Sequence, residues 1–168
     1  MRHAHRFSRR VLHESINMRP RTLVTYPHEI FEKIQKARGP KERLVILKEH
    51  SSFTLRSLLQ INFSPWLKFD LPEGTPPYTE DKNPPQYSAS RVERTIKQFA
   101  YLVPSNKQSK VKKEVRFIQM LEAVNAEDAK IIAACKDKNL TSLYHKVNRK
   151  LVDDVFPNLI KETAPSAR

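Results

Sequence analysis

Basic side chains form the densest chemistry-bearing set in this sequence. Arg91, Arg94, Lys97, Lys107, Lys110, Lys112, Lys113 and Arg116 crowd one stretch against only Glu93 and Glu114. Arg91, Arg94 and Lys97 recur at every third position, and Lys107, Lys110 and Lys113 repeat the pattern. Each trio then lies close to one face of a helix. Rows of ammonium and guanidinium groups neutralise phosphates and release their counterions, a chemistry indifferent to base sequence. Solvated helices also carry Lys and Arg, but usually with carboxylates beside them. Here that compensation is thin. A second basic set opens the chain, where Arg6, Arg9 and Arg10, with Arg2, Arg19 and Arg21, face the single acid Glu14. Over 168 residues, 31 Lys+Arg against 18 Asp+Glu give a net charge of +13, the footprint expected of a protein with a polyanionic partner.

No comparable set points to catalysis, a metal or a cofactor. His3, His5 and His13 sit in the basic opening, and His28, His50 and His145 are scattered, with no cysteine or acid placed to complete a metal site. Adjacent helical residues point about 100° apart, so Asp153 and Asp154 do not converge; Arg149 or Lys150 is the expected partner of that pair. Glu127 and Asp128 suit the positive end of a helix dipole. The single cysteine, Cys135, stands beside Ala133 and Ala134 on an apolar stripe and reads as a small buried hydrophobe. It excludes an internal disulfide and suits a reducing compartment. Gly39 and Gly74 are the only two glycines, too few for a Walker loop or a dinucleotide fingerprint. No apolar run approaches the roughly 20 residues of a membrane span. A non-catalytic protein without a membrane segment is the expectation.

The elements that must position the basic rows are helices. Residues 1–27 stand apart as a basic arm: a flexible arm ordering on a polyanion, an Arg-rich transit segment, or an extension upstream of a start at Met18. From His28 the pattern is helical. Ile30, Phe31 and Ile34 mark a first helix ended by Gly39-Pro40, and the unbroken run Leu44 to Leu47 suggests a central second helix. Ser51 or Ser52 caps a third, carrying Phe53, Leu55, Leu58 and Leu59. Residues 65–87 hold Pro65, Pro72, Pro76, Pro77, Pro84 and Pro85, half of the chain's 12 prolines, and so form neither helix nor central strand. Interleaved Trp66, Leu67, Phe69, Leu71, Tyr78 and Tyr87 would pin this loop across the core. Alternatively, the segment is a proline-rich ligand for another protein's groove, or Trp66, Tyr78 and Tyr87 form a protein-binding lip on its own surface.

Ser90 to Glu93 has the form of a capping box, followed by the stripe Val92, Ile96 and Phe99 up to Pro104. A helix over about 106–123 places Val111, Val115, Ile118 and Leu121 inward. Asn125 with Asp128 caps the next, through Ala129, Ile132 and Cys135. Thr141 caps a last one with Leu143, Val147, Leu151 and Val155 inward. Ala126–Cys135 and Thr141–Arg149 together allow a helix-turn-helix offering Tyr144, His145, Asn148, Arg149 and Lys150. Phe99, Tyr101 and Phe117 offer rings for stacking on single-stranded bases but read more naturally as core. The resulting expectation is all-α: a compact bundle of about six short helices over 28–162 with the Pro-rich loop 65–87, the arm 1–27 and a tail 163–168.

The string Phe117-Ile118-Gln119-Met120-Leu121-Glu122, then Asp128-Ala129, Lys136-Asp137-Lys138, Leu151-Val152 and Phe156-Pro157-Asn158-Leu159-Ile160, resembles a family of small uncharacterised proteins from tailed bacteriophages and cyanophages. Leu71-Pro72-Glu73-Gly74-Thr75-Pro76-Pro77-Tyr78 is similar to that family's Pro-rich signature, and the likeness runs from about residue 28 to 162. It implies a viral origin and a host-cytoplasm setting, and it carries over no catalytic residue. The functional expectation is non-catalytic binding of nucleic acid or a nucleoprotein assembly through the basic rows and arm. The alternative is a protein-docking module on a host or viral machine or within the virion, using Trp66, Tyr78 and Tyr87.

Overall fold

Proline and short polar residues set the helix starts. Pro27 opens α1 (Pro27–Lys36) and Pro40 opens α2 (Pro40–Glu49), in a first turn where a missing N–H removes no helical bond. Ser52 Oγ accepts from the Leu55 amide to cap α3 (Phe53–Phe63). The computed structural model describes residues 25–166, and over these the chain forms eight α-helices and two 3-10 turns, with no strand. The remaining helices are α4 (Val92–Thr95), α5 (Lys110–Ala123), α6 (Ala126–Lys136), α7 (Leu140–Leu143) and α8 (Arg149–Val155). One 3-10 turn spans Pro85–Tyr87, and the other, Ile96–Tyr101, continues α4.

The core centres on α6, which packs against α1, α3, α5 and α7. Ala129, Ile131, Ile132, Ala133 and Cys135 of α6 are buried against Leu55, Leu58 and Leu59 of α3 and Phe31 and Ile34 of α1. Each fully buried Leu, Ile or Phe contributes about 1.5–3 kcal/mol from lost apolar exposure. The fold is all-helical, as the periodicity implies, with the expected caps at Ser52 and at Asn125, whose Oδ1 accepts from the Asp128 amide.

Several elements depart from the sequence expectation. The run Leu44–Leu47 is not central: α2 lies against α1 and α8, and only Leu47 of the run is fully buried. No capping box forms at Ser90, because its amide donates to the Ala123 carbonyl at the end of α5 (2.7 Å), and Arg91 precedes α4 instead. The inward face of α5 is Lys113, Phe117, Met120 and Leu121, so Val111 and Val115 are exposed, Val111 by 68%. The expected last helix is two. Tyr144 ends α7, Asn148 Oδ1 caps α8, and Gln35 of α1 holds the Lys146 amide (3.2 Å) and ammonium (2.7 Å) between them. With α7 only four residues long, the helix-turn-helix does not form.

The Pro-rich segment drapes over the helices. Phe69 meets Phe99 edge-on at 4.9 Å, and Phe99 meets Phe117 at 6.2 Å. Leu67, Leu71 and Tyr78 also pack on the core. Gly74 turns the segment at φ 86°, a conformation glycine adopts freely.

Candidate functional site

Three lysines hold the Pro-rich segment from within. A chain rich in proline lacks the amides for a ladder, yet its carbonyls still need donors. Lys113 Nζ, on a side chain 1% exposed, donates to Asp70 Oδ2 (3.1 Å) and the Val103 carbonyl (3.0 Å). Lys136 Nζ donates to the carbonyls of Pro72 (2.7 Å) and Gly74 (3.0 Å) and to Asp137 Oδ1 (2.6 Å). Lys138 Nζ reaches the carbonyls of Leu67 (2.6 Å) and Ile61. The Lys113 hydrogen bond holds the Asp70 carboxyl below its ordinary pKa, while burial lowers that of the Lys138 ammonium. Lys138 adopts φ 60°, a left-handed backbone that costs a non-glycine residue roughly 1–2 kcal/mol and is offset here by the two carbonyl bonds. Lys113 therefore leaves the candidate phosphate-binding set. Its place in sequence, four before Phe117 and seven before Met120, carried the signal for an inward side chain.

The other basic residues of that set are at the surface. Arg91, Arg94, Lys97, Lys107 and Lys112 are exposed, and none makes an ion pair among the described residues. Lys110 stays exposed while approaching Asp70 Oδ1 at 3.6 Å. Lys107 precedes α5, so the spacing 107, 110, 113 is not a helical row. Arg94 on α4 and Lys97 on the 3-10 turn that continues it are both exposed, three residues apart across the junction.

A contact between elements then joins the two groups. The Arg116 guanidinium lies 4.5 Å from the centre of the Tyr101 ring. Arg116 follows Lys112 by one turn of α5 and touches the last residue of the 3-10 turn that carries Lys97, so the contact brings two basic elements together into a basic strip. Tyr101, expected in the core, is 44% exposed in this strip. Arg6, Arg9 and Arg10 lie outside the described residues.

The three rings of the alternative do not form one exposed face. Trp66 and Tyr78 are half-buried, and burial raises the Tyr78 hydroxyl pKa. Tyr87 is 73% exposed.

A buried polar cluster joins α1 to α6, and local sequence signals mark only its Asn125–Asp128 cap. His28 donates to Asp128 Oδ1 from its amide (3.0 Å) and its Nδ1 (2.9 Å), and Asn125 Nδ2 donates to Asp128 Oδ2 (2.6 Å). All three residues are buried. The Asp128 hydrogen bond raises the His28 pKa against the opposing effect of burial. Asp128 is thus an interhelical acceptor as well as a helix-start acid. Partners 100 residues apart give no local pattern to read.

Elsewhere, Arg149 Nε donates to both Asp153 oxygens (2.9 and 2.8 Å), and its Nη2 donates to Glu162 (2.9 Å). Cys135 is fully buried, and burial pushes its thiol far above the ordinary thiol pKa. Among the described residues, no three His, Cys, Asp or Glu side chains gather where they could hold a metal. No described helix is long and apolar enough to cross a membrane.

These features define an all-helical domain with a lysine-stapled Pro-rich segment and a basic strip, most of whose cations make no ion pair among the described residues. The chain belongs to DUF6433, a family of unknown function, whose pattern matches residues 30–142. No curated protein and no solved structure matches it.

Proposed function

We propose that this is a non-catalytic nucleic-acid-binding protein, acting on the nucleic acid or a nucleoprotein assembly through phosphate contacts. Its likeness to proteins of tailed bacteriophages supports a viral origin and a setting in the host cytoplasm. The observation that carries the reading is the division of labour among its cations. Lys113 and Lys136 are buried and paired, whereas Arg91, Arg94, Lys97, Lys107 and Lys112 are exposed with no carboxylate partner among the described residues. Surface cations left unpaired and joined into one strip neutralise successive phosphates and release counterions. Such contacts fix position on a backbone and read little sequence. Lys110 and Arg116 extend the strip, and Arg6, Arg9 and Arg10, which lie outside the described residues, are further candidate phosphate contacts.

The protein-docking alternative has less support, because Tyr87 alone of its three rings is largely exposed.

The test is charge reversal at exposed positions: Arg94→Glu, Lys97→Glu and Lys112→Glu together. Anisotropy of a labelled oligonucleotide should show tight wild-type binding at about 50 mM salt that collapses by about 200 mM. The triple variant should keep the wild-type circular dichroism and lose binding. A folded triple variant that binds as well as wild type would refute the proposal.

A further inference from the structure

Two exposed aromatic rings flank the basic strip and take no part in the core. We infer that the protein takes single-stranded rather than duplex nucleic acid, with one base stacked on Tyr101 and a neighbouring base in the groove between Phe53 and Lys97. This inference rests on the phosphate-binding reading above and narrows its substrate class.

The Tyr101 ring is held in place. Arg116 covers it at 4.5 Å while 44% of the residue stays open to solvent. A side chain already fixed by a cation–π contact loses little freedom when a second flat partner stacks on it. The groove offers a second seat. Phe53, the first residue of α3, is 62% exposed and lines an apolar groove of about 220 Å³ with Ile96, Lys97 and Ala100. Its floor suits an unstacked heterocycle, and the Lys97 ammonium suits the phosphate attached to it. Ala100 and Tyr101 are successive residues of the same 3-10 turn, so the two seats lie on neighbouring faces of one element.

The form of the nucleic acid follows from which surfaces it exposes. A duplex keeps its base faces within its own stack and presents phosphates and edges, so rings beside cations gain little from it. A single strand presents both phosphates and faces, and stacking on aromatic side chains tolerates any base.

The experiment measures anisotropy of labelled oligothymidylate, oligouridylate and a duplex of equal length against the full chain. The proteins are wild type, Tyr101→Ala, Phe53→Ala and Tyr101→Phe, each with its folding checked by circular dichroism. Wild type should bind at least one single strand more tightly than the duplex. Each alanine variant should weaken single-strand binding about tenfold, Phe53→Ala should leave duplex binding unchanged, and Tyr101→Phe should retain wild-type affinity. Duplex binding equal to or tighter than both single strands overturns the inference, as do alanine variants that hold single strands undiminished. If either happens while the charge-reversal triple variant still loses binding, the phosphate reading stands alone. Binding to none of the three probes overturns both.

Discussion

Lys112 and Lys113 are neighbours in sequence with opposite roles. Lys112 is exposed and makes no ion pair among the described residues, whereas Lys113 is sealed beneath Asp70 and the Val103 carbonyl. Lys113→Met keeps much of the side chain's volume but removes both bonds, and should destabilise the fold by about 2–3 kcal/mol. Lys112→Met should stay within about 0.5 kcal/mol of wild type and weaken oligonucleotide binding. Urea unfolding of the two variants decides the matter, and equal stabilities would contradict the assignment. The sequence carries two competing signals here. The spacing of Lys107, Lys110 and Lys113 suggests a basic row, while the spacing of Lys113, Phe117 and Met120 marks a buried face. The second prevails because Asp70, remote in sequence, supplies the acceptor that makes a buried ammonium tolerable.

Elements are held by long-range polar clasps that local periodicity does not reveal. His28 on α1 and Asp128 on α6 form one. Because folding raises the His28 pKa, this contribution is complete below the unfolded histidine value of about 6.5 and fades as pH rises through the folded value. Thermal unfolding from about pH 5 to about pH 9 should show that alkaline loss in wild type and a flatter profile in His28→Asn. An equally steep profile in the variant would break the link to this pair. Glu29 and Glu32 also favour the charged imidazole, so Asp128→Asn should reduce the slope without removing it.

A second clasp is Lys136 on Pro72 and Gly74. Lys136→Met should open residues 71–79 to limited proteolysis while the helices stay protected; unchanged cleavage would argue against the staple. Caps such as Ser52 and Asn125 were legible because they act over three residues. The break between α7 and α8 was not, because Gln35 of α1 draws the chain out of a helical course there.

At the scale of the molecule, the net charge of +13 is the basis of the proposal that the partner is anionic. What composition cannot place is where the charge is free, since the most buried lysines serve the fold. The basic strip depends on Arg116 meeting Tyr101, a contact between two elements that neither helix pattern contains. The central claim is that exposed, unpaired cations bind phosphates, and the salt dependence of single-strand affinity tests it most directly. With about five phosphates neutralised, log affinity should fall linearly with log salt at a slope near −3.5, and the charge-reversal triple variant should lose about 2 of that slope. A flat salt dependence, or a slope untouched by the triple reversal, would contradict the account.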